Sequence, residues 1–170
     1  MGGCAAETAC EMCIYLDRYK GTDLYPFDKN NITKAQYARF GNIMKPYLHP
    51  RLAGVNRLSI FIDGFKKYLD DNGSSIELTG VEGSEDTETA KQKIIAQIDS
   101  EIPVPFLCLN HSNRRFKEYE WHWFLINGYD DTSGRLKIKA VTYSEYEWLD
   151  FEELWNTGRL PKGVFIILNS

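Results

Sequence analysis

The sequence lacks the features that mark a membrane protein or a nucleic-acid-binding protein. No apolar run approaches the roughly 18–20 residues that a membrane-spanning helix needs, and no basic segment followed by an apolar one suggests a signal peptide. The 20 Lys and Arg residues are scattered and are outnumbered by 24 Asp and Glu residues, which gives a net charge of −4. We therefore expect no membrane span and no nucleic-acid partner.

Cysteine is also scarce, and its four positions are Cys4, Cys10, Cys13 and Cys108. A chain of 170 residues can bury an adequate core without disulfides. Cys10-x-x-Cys13 allows a redox or zinc interpretation, with Cys108 and His111 as the convenient further ligands. The motif falls inside a predicted helix, however, where small thiols that fill a tight helix face are the favoured interpretation. We predict reduced cysteines, no metal and no cofactor.

The predicted elements change along the chain from helices to strands. Helices are predicted at 5–18, at 33–41, after Ser59, after Ser84 and after Asp150, with these three residues as N-caps. Strands are predicted in SSIELTGV, IPVPFLCL, EWHWFLINGYD, LKIKAVTY and KGVFIILNS, and DDTSGR is typical of a hairpin turn. Helices followed by strands, without βαβ alternation, predict an α+β fold with an antiparallel sheet in a single domain over residues 1–170.

The N-terminal segment GGCAAETACEMCIYL places Cys4 immediately before a helix. At that position the unpaired N–H groups and the positive end of the helix dipole favour a thiolate. The glycines before it allow close backbone approach, and the same N–H groups could serve as oxyanion donors. A cysteine near a terminus is more often incidental, so the assignment of Cys4 as a nucleophile depends on a partner.

Three histidines could supply that partner. His49 is in a Pro-rich loop and His111 is in a polar loop, whereas His122 begins an aromatic strand. A histidine at such a position is commonly a buried residue satisfied by backbone hydrogen bonds. A cysteine at a helix start together with a histidine at a strand start nevertheless favours a Cys–His dyad.

Several segments, in order, resemble one branch of the papain-like cysteine peptidases, the enzymes that process double-glycine bacteriocin leaders. GGCAAETACEMCIYL is similar to the segment around their nucleophile, GFKKYLDDNG to their middle helix, and EWHWFLINGYDD to the segment around their histidine. AKQKIIAQIDSEIPVPFLCLN resembles the helix–strand pair before that histidine, and VTYSEYEWLDFEELW the segment that holds the third catalytic residue. The resemblance implies a papain-like α+β fold, with a central N-terminal helix packed against a twisted antiparallel β-sheet.

The resemblance implies Cys4 as the nucleophile and His122 as the general base and later acid. The predicted hairpin places the orienting residue within 141–144, where Thr142 and Ser144 are the candidates; Glu145 is expected to point elsewhere. The family has Asp or Asn at this position, and a hydroxyl carries no charge to stabilise an imidazolium. The family also has an oxyanion glutamine before the cysteine, and only Met1-Gly2-Gly3 precedes it here.

We therefore expect a cysteine peptidase or amidase that acts on a peptide or amide substrate through an acyl-enzyme intermediate. Two alternatives stay open: a catalytically inactive papain-like binding or regulatory module, and an acyltransferase that uses the same dyad. No targeting signal identifies a compartment. Relatives of this kind are often exported, so a truncated N-terminus is one expectation.

Overall fold

A computed structural model describes residues 3–49 and 51–169, and in it the chain forms two compact units. The first unit contains the described residues up to Glu77 together with Asn169, and the second contains Leu78–Leu168. The single domain expected over residues 1–170 stays a prediction. We describe each unit separately.

The first unit is helical. It contains α1 (Cys4–Tyr19), α2 (Lys34–Met44) and α3 (Leu58–Asp71). The helices predicted at 5–18 and 33–41 are confirmed, whereas the start predicted for α3 is wrong: Arg57, not Ser59, is its N-cap. The buried face of α3 already begins with Leu58 and continues with Phe61 and Phe65 at helical spacing, so the helix starts where burial starts.

Helix α1 presents a face of small residues that is buried, as predicted. Ala5, Ala6, Ala9, Cys10 and Cys13 are each at most 2% exposed. Residues without bulky side chains allow close packing of backbone against backbone, and they leave few gaps in the interior. The small thiols on this face are therefore part of the core of the first unit.

The carboxylate of Asp17 fixes the chain that follows α1. It accepts hydrogen bonds from the backbone N–H groups of Leu24 (2.8 Å) and Tyr25 (2.7 Å). Gly21, which has a φ of 72°, ends the helix in the left-handed conformation that glycine adopts without steric cost. Asp17 is only 3% exposed, and these bonds compensate for its burial.

The second unit is built on a six-stranded antiparallel sheet with the order β1-β6-β2-β3-β4-β5, which confirms the α+β class and the antiparallel sheet. The strands of the sheet are β1 (Glu77–Val81), β2 (Val104–Cys108), β3 (His122–Asp130), β4 (Lys137–Thr142), β5 (Glu145–Asp150) and β6 (Val164–Asn169), of which only the end residues Glu77 and Asn169 belong to the first unit. The helices of the second unit are α4 (Thr87–Asp99), a 3₁₀ helix (Arg114–Tyr119) and α5 (Phe151–Trp155).

The sequence predicts most of these elements and misses two. The hairpin between β3 and β4 and the Asp150 cap of α5 are confirmed. The N-cap predicted for α4 is wrong, because Asp86 rather than Ser84 accepts the hydrogen bond from Thr89 N–H. Neither β5 nor the 3₁₀ helix was predicted.

An aromatic core holds the sheet of the second unit against its helices. The rings of Phe106 on β2 and Phe165 on β6 stack at 6.0 Å, and Phe106 and Phe124 on β3 are 5.3 Å apart. Trp155 of α5 packs edge-on against Phe165. Since these rings are fully buried, they fix the positions of β2 and β3, and with them the start of β3.

Over residues 3–49 and 51–169, no helix combines the length and apolar character that crossing a membrane requires.

Candidate active site

His122 is the first residue of β3 and is held there by strand pairing. Its Cα partner on β2 is Cys108, and Phe124, two residues on, pairs with Phe106 in the core. The side chain is buried, with 7% of its surface exposed. Burial lowers the pKa of His122 below its ordinary value of 6.5, because the charged imidazolium would lose its hydration. The ring is therefore neutral at pH 7.

Thr142 holds one nitrogen of the His122 ring. The hydroxyl oxygen of Thr142, the last residue of β4, lies 2.6 Å from Nε2 of His122. This hydrogen bond occupies Nε2 and leaves Nδ1 as the nitrogen that could exchange a proton with a substrate or a nucleophile. A hydroxyl can either donate or accept, so Thr142 positions the ring but does not by itself select its tautomer.

The structure thus separates the two orienting candidates. Thr142 contacts His122, whereas Ser144 is an exposed residue in the turn between β4 and β5. Glu145 was expected to point elsewhere, but it is the Cα partner of Thr142 and lines the same cavity. Directly paired antiparallel residues share a face of the sheet. The register of this hairpin, which the sequence does not indicate, decides the direction of Glu145.

Two aromatic rings lie nearly parallel to the imidazole. The ring of Tyr143 is 5.0 Å from that of His122 with an interplanar angle of 14°, and the ring of Phe124 is 6.4 Å away at 24°. Tyr143 is 73% exposed, while Phe124 belongs to the core. Stacking of this kind restricts rotation of the ring plane.

A cavity of about 150 Å³ lies beside Thr142. Its walls come from the end of the 3₁₀ helix and from the β4–β5 hairpin, and they comprise Glu118, Tyr119, Ala140, Thr142, Tyr143, Glu145, Tyr146 and Glu147. Tyrosine rings and carboxylates therefore form most of its lining.

One wall of this cavity is fixed by a buried phenol. Tyr119 is 8% exposed and donates a hydrogen bond of 3.0 Å to Oε2 of Glu147. Burial, followed by this hydrogen bond to a carboxylate, raises the pKa of Tyr119. Tyr119 is therefore protonated, and it holds Glu147 in place as a donor. Sequence reasoning missed this wall because the contact depends on the unpredicted strand β5.

Cys4 is the first residue of α1 rather than, as predicted from the sequence, the residue immediately before the helix, and it is partly exposed. Gly3 is the N-cap, and its carbonyl accepts the first intrahelical bond, from Glu7 N–H at 2.9 Å. The N–H groups of Cys4, Ala5 and Ala6 precede that bond and so have no acceptor within the helix. Such groups favour negative charge nearby, either on a thiolate or on a substrate oxygen.

A carboxylate lies in the same first turn. Glu7 is three residues after Cys4, so both are on one side of the helix. A Cβ added to Gly3 would lie 3.6 Å from Oε1 of Glu7, which shows that this carboxylate reaches back to the helix start.

The other three thiols are unsuited to nucleophilic chemistry. Cys10, Cys13 and Cys108 are each 0% exposed. Burial raises the pKa of Cys10 and Cys13, and it raises that of Cys108 to about 12 with a smaller contribution from Glu120. All three are protonated at neutral pH and inaccessible to reagents.

His111 has a structural role. Its Nδ1 accepts a hydrogen bond from Asn113 N–H at 3.0 Å, so Nε2 carries the proton and donates to the carbonyl of Glu153 at 2.9 Å. The ring also lies 4.3 Å from Phe116. With both nitrogens engaged, His111 is not available as a metal ligand. In the described part of the chain, no three His, Cys, Asp or Glu side chains lie close enough to hold a metal ion.

Comparisons of this chain with protein-family models, with curated proteins and with solved structures find no match.

Proposed function

We propose that this chain is a papain-like cysteine peptidase or amidase in which Cys4 is the nucleophile and His122 the general base. The observation that carries the proposal is the 2.6 Å hydrogen bond between Nε2 of buried His122 and Thr142. Thr142 lies within the range 141–144 in which the orienting residue was expected. Its hydrogen bond occupies Nε2 of His122 and leaves Nδ1 for proton transfer. In this proposal α1 is the central helix of the papain-like fold.

The chemistry assigned to these residues is acyl transfer. Nδ1 of His122 takes the proton of the Cys4 thiol, and the sulfur attacks the carbonyl carbon of a peptide or amide substrate. The imidazolium then gives this proton to the departing amine nitrogen as the carbon–nitrogen bond breaks. Water, deprotonated by the same imidazole, cleaves the thioester and restores the thiol. The free N–H groups at the start of α1 would stabilise the oxyanion.

Without a charged partner the buried ring of His122 is neutral, which suits the role of a general base. Because burial lowers the pKa of His122, the imidazolium needs a negative partner to persist. Thr142 supplies none, so the charge must be offset by the Cys4 thiolate. We therefore expect slower turnover than an orienting carboxylate or amide would support.

A specific observation favours the second candidate, a papain-like module that has lost catalysis. Thr142 cannot stabilise an imidazolium, and Glu7 adds a negative charge in the turn that holds Cys4. In this second proposal the cavity beside Thr142 would bind a partner without reaction.

The pH dependence of iodoacetamide alkylation at Cys4, read by peptide mass spectrometry, tests the two proposals. We expect wild-type Cys4 to react with an apparent pKa well below the roughly 8.5 of a free thiol, and this shift to shrink in His122→Ala. The matched control is His49→Ala, because His49 is exposed and lies outside the proposed dyad. An ordinary pKa that does not respond to His122 would overturn the enzyme proposal and favour the binding module.

A further inference from the structure

The turn between β4 and β5 has an unusual backbone. Thr142 and Glu145 are Cα partners, so Tyr143 and Ser144 alone make the connection. Both have positive φ, 51° and 63°. Two-residue hairpin turns with this conformation strongly favour Asn-Gly or Gly-Gly, because other side chains are strained there. Tyrosine followed by serine is a poor sequence for the turn it forms.

Burial contributes little to this conformation, because Tyr143 is 73% exposed. What the conformation achieves is the placement of the Tyr143 ring, which lies 5.0 Å from the His122 ring and within 14° of parallel. Strained residues that are kept in a structure cluster at functional sites, where the strain supports a geometry. The geometry here is that of the candidate general base.

The hydrogen bond and the ring contact restrain His122 in complementary ways. Thr142 fixes the position of Nε2, but a single hydrogen bond to a hydroxyl does not fix the plane of the ring, and the Phe124 ring, at 6.4 Å, is further from the imidazole than the Tyr143 ring at 5.0 Å. A flat ring stacked on the imidazole restricts the tilt of that plane. Thr142 and Tyr143 are consecutive, so one hairpin end supplies both restraints.

We propose that Tyr143 is a positioning residue that holds the imidazole plane of His122, and that the strained Tyr143-Ser144 turn is retained for this purpose. The consequence for acyl transfer rests on the function proposed above; the positioning itself does not. Restraint of the ring keeps the direction of Nδ1 constant, which proton transfer over hydrogen-bond distance requires.

Three variants separate positioning from a purely structural turn. Tyr143→Phe keeps the aromatic ring, Tyr143→Leu removes it, and the double variant Tyr143→Asn, Ser144→Gly provides the sequence that this turn favours. Two measurements apply to each variant: the NMR shifts of the His122 ring protons and ring nitrogens, and the free energy of unfolding in urea. The rate of Cys4 alkylation at pH 6.5 is a third and separate measurement.

We expect Tyr143→Phe to behave as wild type. Tyr143→Leu should lose the ring-current shift of the His122 protons, and alkylation should slow about tenfold. The Asn-Gly variant should show the same loss although its hairpin is more stable, which a purely structural role for Tyr143 does not allow. Unchanged His122 shifts in Tyr143→Leu, or wild-type His122 shifts in the Asn-Gly variant, would overturn the proposal.

The failure of one proposal is distinguishable from that of the other. If the His122 shifts change as expected while alkylation of Cys4 in the wild type never depends on His122, positioning stands and the peptidase proposal falls. If alkylation of Cys4 depends on His122 but the NMR shifts of His122 are the same with and without an aromatic ring at position 143, the positioning proposal falls and the peptidase proposal stands.

Discussion

His111 and His122 are both buried in the second unit, with 6% and 7% of their surface exposed, yet their rings are held in different ways. The chain itself holds His111, whose two nitrogens bond to the backbone of Asn113 and Glu153. A side chain holds His122, through the hydroxyl of Thr142. The backbone N–H and carbonyl partners of His111 fix its tautomer. The Thr142 hydroxyl can either donate or accept, so it is compatible with either tautomer of His122.

Removal of His111 should mainly affect stability, whereas changes around His122 should mainly affect the state of its ring. His111 contributes two hydrogen bonds with backbone groups, while His122 contributes one hydrogen bond with a side chain, and the rings of both pack against aromatic neighbours.

Loss of the His111 ring should have the largest effect on stability. We expect His111→Ala to lower the free energy of unfolding by about 3 kcal/mol, because it leaves two backbone groups unsatisfied and opens a cavity against Phe116. Urea denaturation followed by tryptophan fluorescence measures this change. His49→Ala, at an exposed site, should stay within about 0.5 kcal/mol of wild type. Equal losses in the two variants would contradict the structural role of His111.

Changes at Thr142 should have a smaller effect on stability and a specific effect on His122. Thr142→Val keeps the shape and removes the hydroxyl, so we expect the free energy of unfolding to fall by about 1 kcal/mol and the NMR shift of Nε2 of His122 to change as its hydrogen bond is lost. Thr142→Asp should raise the pKa of His122 relative to wild type, because a carboxylate favours the imidazolium. An NMR titration of the ring nitrogens measures both effects. If neither variant alters these nitrogens, the hydroxyl does not orient the ring.

The smallest expected effect is a dependence of stability on pH. Burial lowers the pKa of His122 in the folded chain, while the unfolded chain titrates near 6.5. The unfolded state therefore binds the proton more tightly, and the contribution of His122 to stability, flat above about pH 6.5, falls as the pH drops towards the folded pKa. Unfolding free energies of wild type and His122→Gln, measured at several pH values, isolate this term. Equal pH slopes for wild type and His122→Gln would contradict this prediction.

The sequence predicts the elements that local patterns determine. The helix at Cys4, the strand at His122 and the hairpin after it follow from helix-start signals, aromatic alternation and turn residues. Antiparallel pairing of this hairpin predicts that a residue within 141–144 contacts His122. In the structure this residue is Thr142. The expected N-caps Ser59 and Ser84 are wrong because neighbouring residues begin the buried face or offer a better capping side chain.

Strand β5 could not be predicted in the same way. Glu145–Trp148 alternates glutamates with aromatic residues, which is typical of a strand, but Tyr143-Ser144 carries no turn signal that would separate this segment from β4. Pairing with β4 and the docking of Leu149 into the core decide that this segment is a strand. Because residues of β5 line the cavity beside Thr142, the cavity could not be predicted from the sequence either.

Strand β5 ends the sheet, and its outer backbone groups face no further strand in the sheet order. Another chain can add a strand to an open edge of this kind, and aromatic residues such as Tyr146 and Trp148 would strengthen the contact. Glu145 and Glu147 lie on this edge strand, and charged side chains on an edge strand oppose pairing with another chain. We therefore expect the two glutamates to keep copies of this chain from pairing along β5.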